Sequence, residues 1–278
     1  MTPRVTFGER LDAAVHARGA LCVGIDPHAS LLAAWGLPDS ADGLEQFALS
    51  CVSAFAGEVA VVKPQSAFFE RFGAAGIAVL ERTVRSAREA GALVLLDVKR
   101  GDIGSTMAAY AEAYLDPSAP LAADAITVAP YLGVGALQPA FDVATTYGAG
   151  AFVLALTSNP EGAAVQQARG ADGRSVGQLV ADEIAERNAG AEPFGSFGLV
   201  VGATIGDTDV DLSKLNGPIL APGVGAQGGT ADDVRRILGD ARCVLPSVSR
   251  EVLRAGPDEA ALRDAARRQL DQFAFLTG

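Results

Sequence analysis

Apolar residues along this chain gather in short uninterrupted runs, and each run precedes a longer stretch with helical spacing. The runs lean toward Val, Ile and Leu, and they are flanked by Gly, Pro, Asp or Ser. Runs without alternation are typical of strands buried on both faces, as in a parallel sheet. They predict eight strands, at residues 21–25, 59–62, 92–98, 125–128, 151–157, 198–201, 218–221 and 242–245.

Helical spacing fills the intervals between these runs. The clearest helices are predicted at residues 44–56, 74–90, 105–115, 176–187 and 230–238. Strands that alternate with helices favour an α/β fold, a (β/α)8 TIM barrel, with an open doubly wound sheet as the alternative. We expect an additional N-terminal helix at residues 7–17 to cover the bottom of the barrel, and a last helix at 258–275 to complete the outer ring.

No internal repeat or low-complexity linker divides the 278 residues, so we expect a single barrel domain over residues 1–278. The longest irregular stretch lies at residues 159–175. Long loops in compact barrels are usually functional or mobile. We interpret this stretch as a candidate lid.

Composition and charge argue against several classes of protein. Hydrophobic residues make up 49% of the chain and charged residues 20%, so a sizeable core is expected rather than disorder. The net charge of −11 argues against nucleic acid or an anionic membrane as the main partner. Neither a signal-peptide core nor an apolar run of about 18 residues is present, so no spanning helix is expected.

The cysteines indicate the redox compartment. Cys22, Cys51 and Cys243 are widely spaced and form no C-x-x-C pair. A free thiol in an apolar run behaves as a small hydrophobic group. We therefore expect no disulfide framework, no zinc site and a reducing, cytoplasmic location.

Residues that can carry chemistry lie where the predicted strands end. Only three lysines occur among the 22 basic residues, and two of them, Lys63 and Lys99, close apolar runs. The carboxyl ends of all barrel strands meet at one mouth, which is where barrel enzymes place their active sites. These ends give the candidate set Asp26, Lys63, Asp97, Lys99, Asp102, Ser158, Pro222 and Arg250.

The run D-V-K-R-G-D at residues 97–102 is the most informative of these ends. Asp97 and Lys99 are two apart on a strand and share a face, while Asp102 lies on the following turn. Two carboxylates keep an ammonium charged and repel a third carboxylate. Such a site can remove a carboxylate from a substrate and protonate the carbon left behind. A buried salt bridge with a purely structural role is the alternative, and the convergence of Asp26 and Lys63 on the same mouth argues against it.

A glycine-rich stretch, P-G-V-G-A-Q-G-G-T, follows the seventh predicted strand at residues 222–230. It contains G-x-G-x-x-G, but the first strand lacks this pattern and no acidic residue closes a following strand, so a dinucleotide site is a weak interpretation. A barrel phosphate site is favoured, formed by glycine N–H groups, the helix at Thr230 and Arg250. A plain tight turn is the simpler alternative.

Other candidates are less specific. Ser158 can hydrogen-bond the edge of a heterocycle, although Ser before Asn-Pro is also an ordinary turn. His28 is close to the mouth without an obvious partner, and a structural role is favoured for it. No His/Asp/Glu cluster has metal-ligand spacing, so we expect neither a metal nor a cofactor.

Taken together, these motifs resemble the orotidine 5′-phosphate decarboxylase family, and most closely its longer bacterial branch. The matching pieces span nearly the whole chain: G-I-D-P-H at 24–28, V-K-P-Q at 62–65, D-V-K-R-G-D-I at 97–103, P-G-V-G-A-Q at 222–227 and V-S-R at 248–250. The resemblance implies a cofactor-free barrel enzyme that converts orotidine 5′-phosphate to UMP.

The resemblance also implies roles for the charged residues. Lys99 matches the proton donor to C6 of the pyrimidine, and Asp97 the carboxylate beside the departing one. Lys63 matches the lysine that links Asp97 to the ribose. Asp102 and Thr106 match a pair that reaches the ribose in the partner's site, which implies a homodimer.

The remaining positions match substrate contacts. Asp26 corresponds to a ribose contact, Ser158 to the pyrimidine contact, and Gln227 with Arg250 to the phosphate grip; Pro222 opens the loop that leads to Gln227. Two departures from the short form stand out, a long region after Ser158 and P-S-V-S rather than Val-Gly before Arg250.

Two other functions stay open at this point. A related sugar-phosphate decarboxylase or hexulose-phosphate aldolase shares D-x-K-x-x-D but uses magnesium, and those relatives place a Glu near the position of Lys63. A catalytically silent phosphate-binding regulator on the same barrel is the second alternative. The charge cluster argues against it, since a binding protein has no need of one.

Overall fold

Eight parallel strands close into a barrel in the order of the sequence. The computed structural model describes residues 4–206, 208–225, 228–239 and 241–277. The strands are β1 Cys22–Ile25, β2 Val61–Pro64, β3 Leu93–Arg100, β4 Ala125–Val128, β5 Gly150–Leu156, β6 Phe197–Val201, β7 Pro218–Pro222 and β8 Cys243–Val248. Strand β1 pairs with both β2 and β8, which completes the ring. The barrel prediction is confirmed, and the open doubly wound sheet is wrong.

Twelve α-helices are described around and below the barrel. They are α1 Phe7–Arg18, α2 Ala29–Ala34, α3 Ala41–Phe55, α4 Ser66–Glu70, α5 Gly73–Glu89, α6 Gly104–Leu115, α7 Gln138–Tyr147, α8 Ala163–Gln166, α9 Val176–Arg187, α10 Ala231–Leu238, α11 Arg250–Leu253 and α12 Glu259–Gln272. Short 3-10 helices lie at Val134–Leu137, Pro160–Gly162 and Ala274–Leu276. Within the described ranges, no helix combines the length and apolarity that crossing a membrane requires.

The inside of the barrel is filled by inward-facing strand residues and closed below by α1. Phe7 and Leu11 of this helix belong to the same buried cluster as Val61, Leu95 and other strand residues. The rings of Phe7 and Phe152 pack edge to face, with 6.0 Å between centroids. The N-terminal helix therefore seals the bottom, as the sequence predicted, and leaves the opposite end open.

A second apolar cluster lies between the barrel and the outer helices. Strand residues that alternate with the inward set, such as Val62, Leu96 and Ile126, belong to this layer. Both faces of the strands are thus buried, which explains why the sequence shows uninterrupted apolar runs. The same alternation lets polar side chains enter the barrel one step above its apolar filling.

Strand bounds differ from their predictions by up to three residues, and β2 lies two residues later than expected, at Val61–Pro64. Strand β8 continues to Val248 rather than stopping at residue 245, because Pro246 pairs with Ala221 in the ladder despite lacking an N–H. The stretch at 159–175 is not irregular throughout, since it contains a 3-10 turn and helix α8. The longer β8 carries Ser249 and Arg250 to the open end of the barrel.

Candidate active site

Asp97 is the centre of a charged network at the open end of the barrel. Its Oδ2 lies 3.1 Å from Nζ of Lys63, and its Oδ1 lies 2.6 Å from Nζ of Lys99. The hydroxyl of Thr127 also donates to Oδ1, at 2.8 Å. Two lysines and one threonine from three neighbouring strands therefore hold a single carboxylate.

Strand periodicity accounts for this convergence. Val61, Leu95 and Ala125 belong to the apolar filling of the barrel. Two residues further along each strand, the side chain again points inward. Lys63, Asp97 and Thr127 occupy those positions, so the polar network forms one layer above the apolar core.

The two lysines differ in exposure. Only 7% of the Lys63 side chain is accessible, whereas 46% of the Lys99 side chain is. Lys63 is therefore a buried partner that neutralises Asp97 from inside the barrel. Lys99 lines the open cavity, where its ammonium can meet a substrate.

Opposite charges keep this network ionised. Burial favours the neutral form of Asp97, but Lys63 and Lys99 outweigh it and hold the carboxyl pKa well below its usual range. Burial likewise disfavours the charged form of Lys63, but Asp97 and Asp26 overcome it and raise the ammonium pKa. At neutral pH Asp97 is therefore a carboxylate anion and its buried partner Lys63 an ammonium cation.

A cavity of about 430 Å³ opens beside this network. It brings together most of the residues that the sequence singled out as a site: Asp26, Lys63, Asp97, Lys99, Ser158, Pro222 and Arg250. His28 also lines it, with its ring packed on Phe68 at 4.3 Å between centroids, in agreement with a structural role. The strand ends thus meet in one pocket, as a barrel requires.

Two predicted site residues, Asp102 and Thr106, do not line this cavity. The carboxylate of Asp102 accepts a hydrogen bond from the N–H of Ile103 at 2.8 Å, and Lys99 has its ion pair with Asp97 rather than with Asp102. Thr106 is exposed on α6. Gln227 lies outside the described residues. One chain by itself therefore supplies the first carboxylate and the lysine of the expected charge cluster, but not the second carboxylate.

Arg250 supplies positive charge at the far side of the cavity. It is the first residue of α11, and its guanidinium forms no ion pair within the described part of the chain. By contrast, the Lys63 and Lys99 ammonium groups at the same mouth are already paired with Asp97. Arg250 can therefore accept an anionic group of a ligand in a bidentate contact.

The glycine loop after β7 differs from our expectation. Gly223, Gly225 and Gly228 have φ angles of 99°, 71° and 86°, which favour glycine. However, the N–H groups of Gly225 and Gly228 donate to carbonyls inside the loop. A capping box between Thr230 and Asp233 also occupies the start of α10. The positive end of α10 is thus partly neutralised by this chain's own carboxylates.

Two buried polar atoms at the mouth have no hydrogen-bond partner within the described ranges. They are Oδ1 of Asp26 and Oγ of Ser249. Both residues line the cavity and stand on neighbouring strand ends, those of β1 and β8. Buried polar groups are normally paired, so these atoms are available for polar groups of a ligand.

Two contributors to the site were missed by the sequence reasoning, Thr127 and Ser249. Thr127 is the one polar residue in the strand A-I-T-V, and an odd hydroxyl in an apolar strand was the available signal. Ser249 precedes Arg250 in the matching motif V-S-R, where only the arginine was predicted to have a role. Metal-binding clusters of three or more His, Cys, Asp or Glu residues are absent from the described residues.

The candidate lid is anchored beside the cavity. The side chain of Gln166 on α8 accepts from the N–H of Thr157 at 2.8 Å and donates to its hydroxyl at 2.7 Å. Asn159, at the start of the same segment, lines the cavity. Residues 159–175 therefore begin at the mouth and fold back onto the end of β5.

Comparisons with known proteins agree with this geometry. Residues 19–265 match the family model described as orotidine 5′-phosphate decarboxylase / HUMPS family. Proteins named orotidine 5′-phosphate decarboxylase from Salinispora arenicola and Streptomyces coelicolor are similar, at 67% identity over 275 residues and 64% over 263. These alignments cover 98% and 94% of this chain, and 99% and 95% of the relatives.

Solved structures give the same result. A crystal structure from Streptomyces avermitilis superimposes with a TM-score of 0.95 at 57% identity, covering 99% of this chain and 97% of the other. The structure of Leishmania donovani OMP decarboxylase superimposes with a TM-score of 0.76 at 30% identity, covering 98% and 99%. The chain therefore belongs to the orotidine 5′-phosphate decarboxylase / HUMPS family.

Proposed function

We propose that this protein is a carboxy-lyase that decarboxylates orotidine 5′-phosphate to UMP in pyrimidine biosynthesis, without a cofactor. The observation that carries the proposal is the Lys63–Asp97–Lys99 network at the open end of a barrel of this family. A binding protein has no need to bury an anion between two cations, because the desolvation of these charges is costly.

The cavity offers complementary groups for the three parts of the substrate. Arg250 at one side suits the phosphate, since its guanidinium has no competing ion pair in the described ranges. Asp26 suits a ribose hydroxyl, because its unpaired Oδ1 is an acceptor. Lys99 and Ser158 line the region left for the pyrimidine. Binding energy from the phosphate and ribose can then support the reaction at the base.

The reaction has a simple balance. The C6–carboxylate bond breaks, its electron pair remains on C6, and CO₂ leaves. Lys99 then transfers one ammonium proton to C6, which gives UMP and a neutral lysine that regains its proton from water. Before that transfer, the fixed positive charge of Lys99 stabilises the developing carbanion, and a preorganised charge is the largest usual source of such stabilisation.

Asp97 has two consequences for the same step. It orients the Lys99 ammonium through the 2.6 Å contact. Its lowered pKa also keeps it anionic, so that it repels a substrate carboxylate placed beside it. Ground-state repulsion of this kind is a contested source of catalysis, and we assign it the secondary role.

Asp102 and Thr106 are proposed to act in the site of a partner subunit. Their position outside the cavity of their own chain supports this arrangement. Exposed apolar side chains follow the neighbouring strands β3 and β4, with Ile103 accessible to 62%, Tyr131 to 82% and Leu132 to 54%. A second copy that covers them would bury apolar area and supply the second carboxylate of the Asp-Lys-Asp cluster.

The cellular location of the enzyme is proposed from the state of its cysteine thiols. Cys22, Cys51 and Cys243 are free and buried, and burial raises the pKa of the Cys22 thiol to about 12. Free thiols without disulfides are usual in a reducing compartment. We therefore propose that the enzyme acts in the cytoplasm.

A magnesium-dependent sugar-phosphate enzyme is the second candidate within the same family. Against it, both oxygens of Asp97 are engaged by ammonium groups, and Lys63 occupies the position where those relatives place a Glu. Magnesium prefers several oxygen ligands in octahedral geometry. The donor set around Asp97 therefore supports lysine-based chemistry.

The proposal is tested by the loss of orotidine 5′-phosphate absorbance, with and without a chelator. We expect equal turnover in both conditions and release of one CO₂ per UMP. Activity that disappears with the chelator and returns with magnesium would favour the second candidate. Binding of UMP without any CO₂ release would indicate a silent regulator.

A further inference from the structure

Thr127 on β4 uses its whole hydrogen-bonding capacity on the catalytic strand β3. Its Oγ1 donates to Oδ1 of Asp97 at 2.8 Å. The same oxygen accepts from the N–H of Val98 at 3.1 Å and from the N–H of Lys99 at 2.9 Å. A hydroxyl has one donor and two acceptor sites, so none remains for a ligand. Thr127 is also buried, with 1% of the residue accessible.

Strand β3, to which Thr127 is hydrogen-bonded, is irregular at Lys99. Lys99 has a φ of 44°, in the left-handed region that non-glycine residues rarely adopt. The pairing of β3 with β4 shifts register between Leu96 and Arg100, which is where this conformation lies. Unfavourable backbone conformations persist only when the surrounding structure holds them, and they cluster at functional sites.

The hydrogen bonds of Thr127 to the β3 backbone and to Asp97 both help to fix the position of the Lys99 ammonium. The backbone contacts fix the turn of the strand from which the Lys99 side chain departs. The contact with Asp97 fixes the carboxylate on which that ammonium rests at 2.6 Å. Loss of the Thr127 hydroxyl would therefore remove a contact that holds the Lys99 backbone and a contact that holds the carboxylate paired with its ammonium.

We propose that Thr127 is a positioning residue for the decarboxylation, which sets the location of the Lys99 ammonium relative to C6 of the substrate. The inference rests on the proposed function and adds to it a residue that lines the cavity but whose hydroxyl is fully engaged by β3. Since Thr127 has no hydrogen-bonding group to spare, its loss should slow the chemical step while leaving nucleotide affinity nearly unchanged.

The chain offers a matched control at Thr83. This threonine is also fully buried, and its hydroxyl donates to the carbonyl of Val79 at 2.8 Å on α5, away from the cavity. Thr127→Val and Thr83→Val remove the same atom from equally buried positions. Thr127→Ser keeps the hydroxyl, and Thr127→Ala provides a smaller replacement should the valine variant not fold.

The experiment measures kcat, KM and the Kd of UMP for these variants and the wild type, together with their melting temperatures. We expect Thr127→Val to lower kcat roughly 10- to 100-fold with a UMP Kd within about threefold of the wild type. Thr127→Ser should recover most of the loss in kcat. Thr83→Val should lower the melting temperature and leave kcat unchanged.

Two results would overturn the positioning role while the proposed function stands. One is an active wild type with a Thr127→Val or Thr127→Ala variant of unchanged kcat. The other is a Kd of UMP that weakens as much as kcat/KM falls, which would make Thr127 a binding residue. A wild type that does not consume orotidine 5′-phosphate would overturn the proposed function and this inference together.

Discussion

Nζ of Lys99 lies 2.6 Å from Oδ1 of Asp97, and 46% of the Lys99 side chain is accessible to solvent. The opposite oxygen of the carboxylate is held by Lys63, whose side chain is 7% accessible. Asp97 thus has a buried counterion and a solvent-facing one. An ammonium carries three donors, so Lys99 can remain paired with Asp97 and still present a proton to a ligand.

The phosphate grip is tested by Arg250→Ala. We expect kcat/KM for orotidine 5′-phosphate to fall about 100-fold, because a charge-assisted bidentate contact is lost. Activity toward the nucleoside orotidine, which lacks the phosphate, should change little. Arg254→Ala is the matched control, since this arginine is one turn further on and its side chain is 64% accessible. An equal loss on nucleotide and nucleoside would contradict the assignment.

The sharing of sites between subunits is tested by mixing two inactive variants. Lys99→Ala and Asp102→Ala should each be nearly inactive as homodimers. In a hybrid dimer, the subunit that carries Asp102→Ala keeps its own Lys99 and receives Asp102 from its partner. One of the two sites is then complete, and an equilibrated equal mixture should recover about a quarter of wild-type activity.

A matched mixture checks this design. Lys99→Ala mixed with Lys63→Ala should recover nothing if both lysines serve the site of their own chain. Both lysines line the cavity of a single chain, which is the basis for this expectation. Failure of the Lys99→Ala and Asp102→Ala mixture to regain activity, with subunit exchange demonstrated, would contradict the shared site.

The buried ion pair between Lys63 and Asp97 predicts that Asp97→Asn lowers the free energy of unfolding by an amount that depends on pH. At pH 7 the substitution leaves the Lys63 charge buried without its partner, and the free energy of unfolding should fall by about 3–5 kcal/mol. The folded-state pKa of Asp97 lies below its unfolded value, so its stabilisation is complete above the unfolded pKa of about 4 and is lost as the pH falls.

The difference between wild type and Asp97→Asn should therefore shrink by about 1 kcal/mol between pH 7 and pH 3. Urea unfolding at one fixed protein concentration measures it, because a dimer makes apparent stability concentration-dependent. A difference that is the same at both pH values would show that Asp97 is not held as an anion by Lys63 and Lys99.

Much of this site could be predicted from the sequence because its residues are tied to strand ends. Lys63 and Asp97 interrupt or close apolar runs, and strand periodicity alone directs them into the barrel. Arg250 was predicted at the mouth although β8 proved longer than expected, since the added residues still end at the same rim.

Other parts of the site depend on contacts between distant elements. The role of Thr127 follows from the register shift between β3 and β4 and from the positive φ of Lys99, and neither leaves a local signal in the sequence. The internal pairing of the loop after β7 likewise depends on contacts such as that of Gly229 N–H with the carbonyl of Gly223. The proposed role of Asp102 depends on how two subunits assemble, which the fold of a single chain does not determine.

The most direct measurement of the central claim compares Lys99→Ala with Lys214→Ala. Lys214 is the third lysine of the chain and is exposed away from the cavity. We predict that Lys99→Ala lowers kcat/KM for orotidine 5′-phosphate by at least about 10³-fold with an unchanged melting temperature, while Lys214→Ala retains wild-type activity. A Lys99→Ala enzyme within about tenfold of the wild type would contradict the role of this ammonium as cation and proton donor.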